Sequence, residues 1–330
     1  MSELTHSNIC LICDMDLSVV TTMYCSEPYL EEFYCQVSAV VRQFSENYEI
    51  LFVNDGSPDG SLEVALGFYA RDPKIRVIDL SRNFGHHKAM MTGLAHTRGA
   101  LVFLIDCDLE EDPEWLSLFL STMRSQNADV VYGVQDSRKG NWLEQVTGDL
   151  FYTLFNLLST YPVPRNVTTA RLMTQRYVRS LVQYLDREVF LLGLWTITGY
   201  KQVPVQVRKR SKGNSTYNFK RKIAVFVNAV TSFSNKPLTF IFYLGITISL
   251  LAGSAAVYLV IQRVFFGVFL SGWPSLIVSI WLLGGLTIFC LGIIGIYLSK
   301  IFTEIKQRPY TTIRAIYEHG ASDYDLHKHS

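Results

Sequence analysis

Two hydrophobic patterns divide this chain. Up to about residue 210, apolar residues come in short runs and stripes; from Pro237 to Ser299 they are almost continuous. Leu17–Thr22, Glu49–Val53, Ile75–Leu80, Leu101–Ile105 and Asp129–Val134 are short runs of the kind that predicts strands. Between the first two, Leu30, Phe33, Tyr34, Val37, Val40, Val41 and Phe44 recur at three- and four-residue spacing, which predicts an amphipathic helix. Ser26, followed by Glu27 and Pro28, supplies its start signal. Strand and helix in alternation imply an α/β domain with a mostly parallel sheet covered on both faces. Residues 142–160 and 174–186 read as helices. Val203, Val205 and Val207 alternate with Gln202 and Gln206 and predict a late strand.

The continuous stretch changes the picture. No charge lies between Pro237 and Gln262 or between Val264 and Ser299, and only Arg263 stands between them. About 20 apolar residues span a bilayer, so two spans are expected, near 238–262 and 275–299. The break at 269–275 has turn chemistry and an interfacial Trp273. Arg221–Phe233 places Ile223, Phe226, Val227 and Val230 beside a basic flank, which suits a helix lying in the membrane interface. The resulting division is a domain over 1–218, an interfacial helix over 219–236, a two-helix hairpin over 237–299 and a tail over 300–330. Its end, from Glu318, is polar and expected to be poorly ordered.

Lys209, Arg210, Lys212, Lys220, Arg221, Lys222 and Lys236 precede the first span, and Lys300, Lys306 and Arg308 follow the second. By the positive-inside rule both flanks are cytoplasmic, in a multi-pass protein of the inner (plasma) membrane. The start, Met-Ser-Glu-Leu-Thr-His, lacks the basic-then-apolar layout of a secretory signal. A formal net charge of +1 argues against a nucleic-acid partner. Cys10 and Cys13 form a C-x-x-C without a second metal-ligand pair nearby, and read as small apolar residues.

Ligands of open α/β sheets bind beyond the carboxyl ends of the strands. Asn54-Asp55-Gly56-Ser57 ends the second predicted strand, and Asp106-Cys107-Asp108 ends the fourth. Asp55 could accept hydrogen bonds from a base or ribose. Asp106 and Asp108 could hold a divalent cation, Mg²⁺ or Mn²⁺, against a diphosphate, because hard cations take oxygen ligands and leave positions open for phosphates.

Taken in order, Leu17-Ser-Val-Val, Phe52-Val-Asn-Asp-Gly-Ser, Leu80-Ser-Arg-Asn-Phe-Gly, Asp106-Cys-Asp-Leu-Glu-Glu-Asp-Pro-Glu and Val131-Tyr-Gly-Val resemble family-2 glycosyltransferases with a GT-A fold. Arg171-Leu-Met, Gly199-Tyr, Gly213-Asn-Ser-Thr-Tyr and Thr231-Ser-Phe-Ser-Asn-Lys-Pro-Leu extend the likeness over roughly residues 15–315, most closely to bactoprenol and dolichol-phosphate sugar transferases. The resemblance implies a nucleotide-sugar donor bound by Thr22, Tyr24, Glu27, Asp55, Asn83 and Asp106. It also implies a metal held by Asp106, Asp108 and Glu110, with Asp108 in the catalytic set.

The chain departs from that family in four places. Thr22-Met23-Tyr24-Cys25 replaces Pro-x-Tyr-Asn. Glu110 replaces a Gln. Thr169 stands where the family has an Asp cast as catalytic base, and Phe190-Leu191-Leu192-Gly193-Leu194 lacks an Arg. A phosphate acceptor needs no such base, because its second pKa is about 6 and its oxygen is already anionic at neutral pH. The expected reaction is therefore inverting transfer from a nucleotide sugar, such as UDP-glucose, to a polyprenyl phosphate, serving cell-surface glycan synthesis. Thr169 and Arg171 join the catalytic set, with Arg171 compensating the acceptor's charge. Arg138, Lys139, Arg210, Lys212 and Tyr217 are further acceptor-phosphate candidates. A hydroxyl acceptor on a lipid-linked glycan and a non-catalytic membrane adaptor are the alternatives, and a homo-oligomer is compatible with the sequence.

Overall fold

Strands buried on both faces are written mainly in apolar residues, and four such runs, interrupted by a few polar residues such as Ser18, Glu49, Arg76 and Asp79, form the centre of the sheet. The computed structural model describes residues 15–135, 153, 164–187, 189–210, 231, 234–266 and 272–319. The central strands are β1 (Met15–Met23), β2 (Tyr48–Asn54), β3 (Ile75–Leu80) and β4 (Gly99–Leu104). They pair in parallel in the order β4-β1-β2-β3. The full sheet adds β5 (Val130–Gln135), β6 (Val167–Thr174), β7 (Gln202–Val207) and β8 (Ile313–Tyr317), in the order β7-β5-β6-β4-β1-β2-β3-β8. β6 runs antiparallel between β4 and β5, and β8 runs antiparallel along β3.

Helices α1 (Glu27–Val41), α2 (Ser61–Arg71), α3 (His86–Ala95) and α4 (Trp115–Gln126) alternate with these strands, and the short α5 (Gln175–Leu181) and α6 (Leu191–Ile197) follow. The predicted α1 stripe is the buried face, with Leu30, Phe33, Val37, Val40 and Val41 in the core. α3 lies closest to the sheet. A Cβ on Gly93 would sit 2.6 Å from Val20 Cγ1 and 2.8 Å from Val53 Cγ2, so only glycine allows that approach. The depth of α3 matters because its first residue, His86, faces the ends of β1 and β4.

The predicted strands and the late strand at 202–207 are present, as is the mostly parallel α/β architecture. The predicted helices at 142–160 and 221–233 lie outside the described residues apart from Thr153 and Thr231, as do Cys10 and Cys13. The expected loose end is corrected at its start, Glu318 and His319; residues 320–330 lie outside the described residues. Residues 313–317 are an edge strand, and Glu318, expected to begin a loose end, is one of the most heavily bonded side chains on that edge. Its Oε2 accepts from Arg76 Nε (3.0 Å) and Nη2 (2.9 Å) and from Arg98 Nη2 (2.7 Å). Buried Arg76 also donates to Glu49 Oε2 at 2.7 Å. Arg314 reaches Asp79 Oδ2 at 3.2 Å, and His319 stacks on Tyr69. The polar pair Glu318 and His319 is thus held in place by partners more than 200 residues away.

The described residues of 15–135, 164–210 and 309–319 form one unit, and the two long helices belong to another. α7 (Lys236–Phe266) and α8 (Trp273–Ile305) are each long and apolar enough to cross a membrane. Their apolar side chains, such as Phe242, Leu250, Phe265, Trp281 and Ile288, point outward without protein cover. Tyr297 near the end of α8 donates to the Ser234 carbonyl just before α7 (2.6 Å), so the pair is antiparallel. Chain flanking both helices belongs to the same globular unit.

Removing the Glu318 carboxylate leaves two arginines competing for fewer acceptors. Glu318→Ala is expected to cost about 1.5–3 kcal/mol, the scale of hydrogen bonds to charged groups. Thermal unfolding of the detergent-solubilised chain measures this, and an unchanged midpoint would show that the edge strand holds without its clasp.

Candidate active site

Parallel strands end on one side of the sheet, and the turns after β1, β2 and β4 bring the candidate residues together there. The turn after β2 is tightly specified. Gly56 has φ +60°, and a Cβ there would fall 2.4 Å from the Arg82 carbonyl carbon and 2.5 Å from Asn83 N. Asp55, directly before it, is buried. Its Oδ1 accepts the Phe84 amide (2.7 Å) and its Oδ2 the Gly85 amide (2.9 Å). Burial raises the Asp55 pKa against the opposing pull of those two amides. The carboxylate therefore fixes the loop that starts α3, a task the sequence did not reveal. Asn83, exposed on that loop, is placed by the same contact.

A second knot joins this turn to α1. Glu27 Oε2 accepts the Gly60 amide at 2.9 Å, while Glu27 N donates to Asp59 Oδ2 at 3.1 Å. Asp59 also accepts from the hydroxyls of Ser57 and Ser61. Although burial opposes it, these donors pull the Asp59 carboxyl down to about 2. Glu27 thus ties loops together, and Tyr24, 50% exposed, is the nearby ring left open to a flat ligand.

The ends of β1 and β4 are bridged by His86. Its Nδ1 lies 2.9 Å from Thr22 Oγ1 and its Nε2 lies 3.3 Å from Asp106 Oδ1. Burial works to lower the imidazole's pKa, but Asp106, Asp55 and Glu111 hold it above the usual value. Burial likewise disfavours the Asp106 anion, yet His86, the Thr169 hydroxyl and Lys209 keep its pKa below the ordinary carboxylate range. Asp106 Oδ1 is buried and has no well-formed hydrogen bond.

Leu109, with φ +64°, turns the chain after Asp108 so that the acidic run folds back on Asp106. Asp108 Oδ1 accepts the Glu110 amide at 3.0 Å. Glu111 is fully buried; its Oε1 accepts the Thr169 amide (2.9 Å) and faces Lys209 Nζ (3.1 Å). Burial and the Asp106 charge push the Glu111 carboxyl up to about 7, with Lys209 opposing. Glu110 Oε2 lies 3.8 Å from the same ammonium, which draws it toward Lys209 as well as toward its expected metal role.

Among the described residues no group of three His, Cys, Asp or Glu is preassembled around a metal position. The donor set nevertheless fits a hard cation that arrives with a diphosphate. Such ions are held by one or two carboxylates plus substrate phosphates and water, and the buried Asp106 Oδ1, which His86 approaches only at 3.3 Å without a well-formed hydrogen bond, is a donor of that kind.

Thr169 and Arg171 share one face of β6, as expected for residues two apart in a strand. Arg171, however, is 1% exposed. Its Nε reaches the Thr169 carbonyl at 3.3 Å, and its guanidinium lies over the Trp195 ring near Tyr132. Burial pulls its pKa down to about 9, against Tyr177, Glu111 and Tyr132. A phosphate has no access to it in this arrangement. Arg210 is exposed and paired with Asp112 Oδ2 at 2.6 Å. Arg138, Lys139, Lys212 and Tyr217 lie outside the described residues.

Three residues of the site went unnoticed in the sequence: His86, Glu111 and Lys209. Lys209 had a signal, since it continues the inward alternation of Val203, Val205 and Val207. His86 follows directly on Asn83-Phe84-Gly85. Nothing in the acidic run 110–112 distinguishes Glu111 from its neighbours.

The family model for glycosyl transferase family 2 matches residues 18–182. A Mycobacterium tuberculosis protein named as a glycosyltransferase is 56% identical over 92% of this chain and 89% of its own. An uncharacterized glycosyltransferase of Synechocystis is 34% identical over 89% of this chain and 93% of its own. The bactoprenol glucosyl transferase of Shigella phage SfX is 30% identical over 91% of this chain and 99% of its own.

The position of Arg171 revises its expected effect on the acceptor. Arg171→Ala empties a buried, aromatic-lined site and should cost about 2–5 kcal/mol of stability, as large-to-small core changes do. Any folded fraction should keep its affinity for an anionic acceptor. A variant of native thermal stability with selectively weakened acceptor binding would restore the contact role.

Proposed function

We propose that this chain, which belongs to glycosyltransferase family 2, moves a sugar from a nucleotide donor onto a polyprenyl phosphate at a membrane surface. The observation that carries this reading is the likeness to a bactoprenol glucosyl transferase over nearly the whole of both chains. That likeness spans the strand-end carboxylates and extends into the region of the two uncovered apolar helices.

Asp106 and Asp108 would hold Mg²⁺ or Mn²⁺, which when bound neutralises the diphosphate and so improves the leaving group. Thr22 and His86 keep Asp106 in place for that task. Tyr24 offers the donor base a ring to stack on, and the Asp55-fixed loop carrying Asn83 closes the other side of the nucleotide. Transfer is inverting: a phosphate oxygen of the acceptor attacks the anomeric carbon as the nucleoside diphosphate departs. That oxygen arrives ionised, so Thr169 in place of an acid residue removes a repulsion and costs no needed base. The donor is a UDP-hexose such as UDP-glucose.

Apolar side chains exposed all along α7 and α8 call for a hydrocarbon solvent. That chain on both sides of the pair folds into one unit supports a pair that crosses twice and returns to the side it left. The basic flanks favour the cytoplasmic face of the inner membrane.

Membranes carrying the protein, given labelled nucleotide sugars and polyprenyl phosphate with Mg²⁺, should yield a labelled lipid. Asp108→Asn should lower that rate about a hundredfold, on the order of 3 kcal/mol in the barrier, and EDTA should abolish it. A faster rate in Thr169→Asp would instead favour a hydroxyl acceptor that needs a base. In a chain stripped of native cysteines, Ser271→Cys should react from outside intact cells and Ser322→Cys only after permeabilisation; the reverse would overturn the topology.

A further inference from the structure

We propose that Lys209 is a phosphate-binding residue of the transfer site, and that buried Glu111 is the positioning residue that holds its ammonium there. The inference rests on the reading above in taking phosphate-bearing substrates to meet at this site. Three basic residues follow β7, and the strand's alternation sorts them. Arg208 and Arg210 point outward, while Lys209 turns inward with its side chain 23% exposed. The backbone is fixed in that pose by the Arg210 amide, which donates to the Glu110 carbonyl at 2.9 Å, and by the Arg210–Asp112 pair.

The ammonium is then held from one side. Glu111 Oε1 lies 3.1 Å away and Glu110 Oε2 3.8 Å away, the latter beyond hydrogen-bond distance. An ammonium has three donors, so the Glu111 contact leaves capacity for a phosphate oxygen. Glu111 is itself gripped by the Thr169 amide on the same oxygen, at the mouth of β6 beside Asp106. A lysine serving only solubility would have no such setting. A buried ion pair also gives little net stability over a neutral pair of similar shape.

The surrounding charges supply the need. Asp106, Asp108, Glu110, Glu111 and Asp112 crowd one turn, and phosphates approaching it are repelled unless cations face them. Arg171 is sealed under Trp195, and Arg210 is paired with Asp112 at the surface. Lys209, by contrast, is held inside by Glu111 and yet partly open.

A double-variant cycle on the purified full chain separates this role from mere charge balance. Lys209→Met and Glu111→Gln should each lower the thermal midpoint, since each strands a buried partner. The double variant replaces the ion pair by a neutral pair and should recover the midpoint, yet its transfer rate should stay down about tenfold or more, the scale of one lost charge-assisted hydrogen bond. Lys209→Arg should keep part of the rate. A raised KM for polyprenyl phosphate with unchanged calorimetric affinity for the nucleotide sugar would assign the contact to the acceptor; weakened donor affinity would assign it to the diphosphate. Recovery of both midpoint and rate in the double variant overturns the proposal. If the wild-type chain binds nucleotide sugar but labels a different acceptor, the functional reading fails, and the same cycle, read on donor affinity and on that product, still decides Lys209.

Discussion

Carboxylates gathered at the ends of apolar strands repel each other and resist burial, and the active-site half of this protein is arranged around that constraint. Each acid is answered by a different kind of partner. Asp55 takes two backbone amides, Asp59 takes hydroxyls and amides, Asp106 takes an imidazole, and Glu111 takes an amide and an ammonium. Because the partners come from α3, α1, β6 and the chain after β7, satisfying the charges also fixes the positions of those elements. The imidazole meets Asp106 Oδ1 only at 3.3 Å, without a well-formed hydrogen bond to that buried oxygen, so a cation brought in by a diphosphate would gain there.

The opposite ends of the strands show the same economy with a different purpose. Ser18, Glu49, Arg76, Arg98 and Glu318 form a chain of polar and charged contacts that fastens β8 to the sheet. This strand arrives only after α7 and α8, so the edge of the globular unit is completed by chain that lies beyond both long helices. The unit and the hairpin are consequently interleaved in sequence, although each has its own packing. A long-range edge strand of this kind is slow to form, since loop closure precedes any reward from pairing.

Much of this was legible in the chain itself. Short apolar-rich runs marked β1 to β4, the three- and four-residue stripe marked α1, and the absence of charge over 237–262 and 264–299 marked the two long helices. Each of those signals is local, because strand and helix periodicities are properties of consecutive residues. Asp106 and Asp108 could be placed at a strand end for the same reason.

What the sequence could not decide was which distant groups would meet. The insertion of β6 between β4 and β5, the pairing of β8 with β3, and the contacts of His86 with Asp106 and of Lys209 with Glu111 all join residues far apart in the chain. Arg171 and Lys209 make the contrast plain. Arg171 lies within β6 and Lys209 just past β7, and periodicity set the face each occupies. Only packing determined that Trp195 covers the first while Glu111 holds the second at the edge of the site. Charge and burial act through space, so a residue's type and spacing are fixed by the sequence, but its partner and its access to a ligand are fixed by the fold.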